Sequence, residues 1–212
     1  MKSLEEIQKE VGEWSRENFG EQRSKHNTVM YIVSNKSGVF GSNEHPLYLG
    51  SLAPLLGIVE EIGELAEATE VGDTAEMKDA VGDILIYLCD YTSREATELN
   101  SDILGLAEDI VTDAEDDPER VRMNPFLGLS QAAGRLCHAT LKWHQGIRGF
   151  DDPEKYRAAR DAAIARLLVP LSLYVSIYLP GDSLIKLLNN VWENEVKKRN
   201  WRKENGTDAA ES

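Results

Sequence analysis

Apolar residues recur every three or four positions along most of the chain, the period of a helix that buries one face. In the first segment Leu4, Ile7, Val11 and Trp14 fall on one stripe, and Ser3 with Glu6 forms a capping box at its start. Residues 20–50 break the pattern. Asn35, Gly38, Gly41, Ser42, Asn43 and Pro46 mark a long loop there, with a short extended piece over residues 29–33. Loops of this length are uncommon in compact domains and often functional, although a plain insertion fits the sequence equally well. Pro54 suits the first turn of a second helix, which runs to about residue 70 and is broken by Gly72 and Asp73. Further helices are predicted over residues 74–98 and 101–114, followed by an acidic linker over residues 113–117. Asn124-Pro125 opens a fifth helix that reaches about residue 144. A turn around Gly146 and Gly149 leads into a sixth, which Pro170 is expected to bend or split near Val169. Pro180-Gly181-Asp182 ends it. A last amphipathic helix carries Leu184, Leu187, Leu188, Val191, Trp192 and Val196 towards Trp201, and a frayed tail covers residues 204–212. The expected class is all-α.

The helical pattern also repeats. Residues 54–69, PLLGIVEEIGELAEAT, and residues 125–140, PFLGLSQAAGRLCHAT, align without a gap at an offset of 71. Seven of the sixteen positions are identical, including the proline and both glycines. A duplicated helical hairpin is the expected architecture: residues 1–116 as one repeat, residues 117–203 as a second that packs on it. The copies differ in chemistry. Glu60, Glu61, Glu64 and Glu67 of the first correspond to Gln131, Ala132, Arg135 and His138 of the second.

Charge separates the halves in the same way. Residues 1–116 carry a net −17 and residues 117–212 a net +3, within a chain total of −14. This balance argues against binding duplex nucleic acid, which needs a cationic face to displace counterions. An acidic half beside a mildly basic one suits cations and the polyanions bound to them, though two solvated surfaces account for the charge equally well. No apolar run approaches the roughly 20 residues of a membrane span, and the N-terminal residues lack the apolar core of a signal peptide. Cys89 and Cys137 form no disulfide framework or metal-ligand spacing. A cytoplasmic location is the default expectation.

The acids of the first repeat are placed on helix faces. Glu60, Glu64 and Glu67 fall within about 60° of one another at 100° per residue, with Glu61 on their flank. The next helix adds Asp79 and Asp83, one turn apart, and Asp83 lies inside the otherwise apolar AVGDILIYL. A carboxylate there is partly desolvated, and something positive should face it. Nearby bases are few, only Lys78 and Arg94, so a hard divalent cation is the simplest partner, and oxygen ligands suit Mg²⁺ or Mn²⁺. Gly63 and Gly82, one in each acidic segment, suggest close helix approach.

The string EEIGELAEA, with Glu61 and Glu64 in an ExxE arrangement, followed by DAVGDILIYL, resembles the MazG-like all-α nucleoside triphosphate pyrophosphohydrolases. That superfamily includes dimeric dUTPases and dCTP pyrophosphatases. The resemblance is strongest over residues 50–100 and extends weakly to Val191-Trp192 and Val196-x-x-Arg199-x-Trp201. It implies a helical bundle of two tandem MazG-like repeats, a fused pseudo-dimer whose second copy is degenerate. It implies Mg²⁺-dependent cleavage of a (d)NTP to a (d)NMP and diphosphate, a nucleotide-pool house-cleaning role, and a monomer or homodimer. Glu61, Glu64 and Asp83 are then the catalytic acids and metal ligands, with Asp79 as the fourth; Glu60 or Glu67 is an outer ligand or the base. Ala80 stands where the family has a glutamate, and Asp79 one residue earlier takes its place or leaves it to water. Tyr87 would border the nucleoside or serve the structure alone, while Lys142 and Arg148, in the family-like segment LKWHQGIRG, with Arg135, would bind phosphate or shape the pocket. Lys25, His26 and Lys36 could close over substrate. The rival expectation is a nucleotide-binding or regulatory descendant that does not cleave its ligand.

Overall fold

The computed structural model describes residues 1–19, 51–99, 124–147, 149 and 152–199. These residues form an all-α bundle of six helices and one 3₁₀ turn, with no strand among them. Local chemistry sets the helix starts. Ser3 and Glu6 cap α1 (Leu4–Phe19) reciprocally: Ser3 N donates to Glu6 Oε2 at 2.8 Å and Glu6 N to Ser3 Oγ at 3.2 Å. α2 (Leu52–Val71) ends on Gly72, whose φ of 77° closes the last turn. Asp73 then caps α3 (Thr74–Arg94) by accepting from Ala75 N and Glu76 N. Asn124 and Asp152 cap α4 (Pro125–Gln145) and α5 (Pro153–Tyr178) in the same way, each with proline in the first turn. Ser183 caps α6 (Leu184–Asn194), and the turn Val196–Lys198 follows it.

α2–α3 and α4–α5 are two helical hairpins, joined where α2 meets α4. α3 is the central helix, flanked by α1, α2 and α6. One continuous apolar core includes residues from all six helices. Two hydroxyl pairs tie the hairpins together across this core. Thr69 of α2 bonds Tyr174 of α5 at 2.5 Å, and Thr140 of α4 bonds Tyr91 of α3 at 2.8 Å. The buried Gln8 secures the chain after α3, donating to Thr92 Oγ1 and the Thr97 carbonyl and accepting from Leu99 N at 2.9 Å.

Five local expectations change. The third helix stops at Arg94 rather than 98, and Ala96 beyond it takes a left-handed φ of 51°. Pro170 does not split its helix: α5 runs through it, with the ring against Gly128. The last helix ends at Asn194, because Glu195 leaves helical geometry at φ −124°, ψ −72°. Gly63 marks no close contact, since a methyl there would meet nothing within 4 Å, and Gly82 receives Val191 of α6 rather than the acidic helix. The close seam between α2 and α3 is at Gly57, where an added Cβ would stand 2.6 Å from the Tyr87 ring. α5 is also long and apolar enough to cross a membrane, an exception to the expectation of no such run, though 56% of that stretch is buried in the bundle. The helix predicted over 101–114, the acidic linker, the 20–50 loop and the tail lie outside the described residues.

The two glycines separate packing from propensity. Gly63→Ala is expected to stabilise the protein by about 0.5–1 kcal/mol, because it removes backbone freedom at an open helical site. Gly57→Ala is expected to destabilise it by about 1–3 kcal/mol by displacing the Tyr87 ring. Urea denaturation of both variants checks the pair; equal shifts would contradict the seam.

Candidate functional site

The α2–α3 seam continues from Gly57 and Tyr87 into carboxylates. One turn after Gly57, Glu61 points inward and is only 7% exposed, whereas Glu60, Glu64 and Glu67 are exposed. One turn before Tyr87, Asp83 is half-buried, and Asp79 is half-buried a turn earlier still. Asp79 Oδ1 is fully shielded and has no hydrogen-bond partner among the described residues. Ala80 is buried and contributes no acid.

The charges reinforce one another. Burial above all, then the neighbouring Asp83 and Glu64, pushes the Glu61 carboxyl up to about 8. Burial and Asp79 push Asp83 up to about 7, partly offset by Arg199. Asp79 is raised as well, first by burial and then by Glu195 and Glu76, again with Arg199 opposing. Tyr87 is pushed up to about 12 by burial and by Glu61. The two bases close to these acids in sequence are engaged elsewhere. Lys78 pairs with Asp182 at 2.8 Å and Arg94 with Asp90 at 2.8 Å.

Among the described residues, a base that favours the charged forms of Asp79 and Asp83 comes from far along the chain. Trp14 Nε1 of α1 donates to the Arg199 carbonyl at 3.0 Å and fixes the segment after α6 beside α3. The Arg199 guanidinium lies 3.8 Å from Glu195. Arg199, Asp83 and Tyr87 line a cavity of about 300 Å³ whose other walls include Trp14, Phe19, Ile86 and Val196. The cavity therefore has an apolar, aromatic body and a polar edge at the acids, the usual character of a small-molecule site. Sequence reasoning assigned no site role to Trp14, Phe19, Glu195 or Arg199. No signal in the sequence placed them beside Asp83.

The remaining candidates separate from this cavity. Lys142 is half-buried and donates to Gln145 Oε1 at 2.9 Å on its own helix. Arg135 and His138 line a different groove, between α4 and α5. His144 is buried with Nε2 unpartnered, and burial lowers its pKa. Arg148, Lys25, His26 and Lys36 lie outside the described residues.

The acids are suited to a hard cation in kind: all-oxygen donors, crowded like charges and a shielded, unpartnered Asp79 oxygen. Their side chains are not drawn together. Among the described residues no three acidic, histidine or cysteine side chains converge closely enough to hold a metal ion. Comparison with protein-family models, curated proteins and solved structures finds no match to this chain.

The raised carboxyls have a direct consequence for stability. Their folded pKa values exceed those of the unfolded chain, so the folded state holds protons that the unfolded state releases, and stability falls as pH rises through that window. In metal-free buffer, stability is expected to drop by about 1 kcal/mol or more between about pH 6.5 and 8.5. Glu61→Gln should flatten the decline. Urea midpoints across that range check it, and a wild-type profile no steeper than that of Glu61→Gln would contradict it.

Proposed function

We propose that this chain is a Mg²⁺-dependent nucleoside triphosphate pyrophosphohydrolase of the MazG-like kind, with Mn²⁺ an alternative ion. The observation that carries the reading is the placing of Glu61 and Asp83 on facing helices, where the Asp83 charge acts on Glu61, with Asp83 at the edge of an aromatic cavity and no basic side chain bonded to either among the described residues. Buried acids in that position are unfavourable by themselves, so their retention is best explained by a ligand that compensates them.

In this reading Glu61, Glu64 and Asp83 hold the ion, with Asp79 as the fourth ligand in place of the missing acid at Ala80. When bound, Mg²⁺ would neutralise triphosphate charge and make water a better nucleophile. The protein's own groups do the rest. Exposed Glu60 or Glu67 accepts the proton released by the attacking water at a carboxylate oxygen. Arg199, on the cavity edge, attracts phosphate oxygens. Trp14, Phe19 and Tyr87 exclude water around the nucleoside. Water adds to phosphorus, the α–β anhydride P–O bond breaks, and diphosphate leaves with that electron pair. The fused pseudo-dimer, a cytoplasmic setting, and action as a monomer or homodimer belong to the same proposal. The rival, a nucleotide sensor without turnover, draws its support from Ala80.

Incubation of the protein with a panel of (d)NTPs and Mg²⁺, read by diphosphate release, tests the reading. Glu64→Gln and Asp83→Asn are each expected to reduce the rate by at least about 100-fold while leaving the helical circular dichroism unchanged. Saturable nucleotide binding with no diphosphate release would instead favour the sensor.

A further inference from the structure

The second hairpin contains a groove in the same place as the acidic seam of the first, with the charge reversed. Three observations set the correspondence. The α2 and α4 sequences align at an offset of 71, which places Gly128 at Gly57 and Thr140 at Thr69. Gly57 receives Tyr87 of α3, and Gly128 receives Pro170 of α5, residues 83 apart. Thr69 bonds Tyr174, and Thr140 bonds Tyr91, tyrosines that are again 83 apart. These contacts have the reciprocal form of an isologous pair: each threonine reaches the tyrosine of the opposite hairpin. At the same separations Arg135 takes the position of Glu64, His138 that of Glu67, and Arg166 that of Asp83. Ala162 takes that of Asp79.

These positions are not scattered over the surface. Gln131, Arg135, His138 and Arg166 line one open groove of about 510 Å³ between α4 and α5, floored by alanines. Among the described residues no carboxylate lines it. Arg135 and Arg166 are exposed and make no ion pair or hydrogen bond among the described residues, in a chain with 37 acids to 23 basic residues. Two guanidinium groups left unpaired on one concave surface of so acidic a protein have a clear complement, an anion that takes several charged hydrogen bonds at once. The alanine methyls leave room for it between the helices.

We infer that the α4–α5 groove is a metal-independent binding site for a phosphate-bearing small molecule, held by Arg135 and Arg166 with Gln131 as a further polar contact. The site is separate from the acidic cavity and shares none of its lining residues. It does not require that the first hairpin hydrolyse anything.

Isothermal titration in EDTA, with inorganic diphosphate and ATP as probes, tests the inference. Saturable binding of at least one probe to the wild-type protein is expected. The Arg135→Ala/Arg166→Ala double variant should bind at least about tenfold more weakly, and raised salt should weaken wild-type binding in parallel. Lys186→Ala, which removes an exposed base on α6 outside the groove, should bind as the wild type does. Tighter binding of ATP than of diphosphate would extend the site to the nucleoside; equal binding would confine it to phosphate. No saturable binding in EDTA, or equal affinity in the double variant, would overturn it. Thermal melts confirm that the exposed substitutions leave the fold intact.

Discussion

Glu61, buried on α2, and Asp83, half-buried on α3, share one helix seam, and the Asp83 charge adds to burial in raising the Glu61 carboxyl. A turn away, the Tyr87 ring lies on Gly57 and sets how closely α2 and α3 approach. α3 is covered by α1, α2 and α6, so neither helix can rotate its acid outward without breaking apolar packing on another side. Burial and like-charge repulsion therefore act together on the same carboxyls. Exposed acids at the same spacing would be screened by water and salt.

The two ends of the described chain depend on the same region. α1 contributes Trp14, whose indole donates to Arg199 and whose ring stands edge-on to Trp192 of α6. Lys2 and Asn189 exchange two backbone–side-chain bonds that secure the start of α1 to α6. Both helices pack on α3, so the favourable charge near Asp83 and Asp79 arrives by tertiary contact, about a hundred residues away in sequence. Conformational freedom in α1 or after α6 would weaken that compensation before it affected the α2–α3 seam itself.

Much of this was legible in the sequence, and the reasons are local. Capping residues act within three positions of themselves, so Ser3 and Asn124 marked helix starts correctly, while Gly72 and Asp73 read only as a break although Asp73 caps the helix that follows. The 3.6-residue period located the buried faces, and Asp83 within an apolar run announced a desolvated carboxylate. What was not legible required knowing which helices touch. Gly63 and Gly82 read alike in sequence, yet one faces open space and the other faces α6. Arg199 and Trp14 had no sequence relation to Asp83. Pro170 seemed a breaker, but α5 continues through it and uses its ring to pack on Gly128. The threonine–tyrosine pairs also appear only in three dimensions, because each joins residues of different hairpins.

The hairpins thus present contrasting surfaces at corresponding positions, carboxylates in one and guanidinium groups in the other, while sharing glycine seating and hydroxyl pairing. The central proposal concerns the first: its acids bind a divalent cation. Electron paramagnetic resonance of Mn²⁺ titrated into the protein tests this most directly, because bound and free ion are counted without any assumption about substrate. The account predicts one site per chain, competed by Mg²⁺ and lost in Asp83→Asn. Mn²⁺ that stays free, or that binds equally to Asp83→Asn, would contradict it.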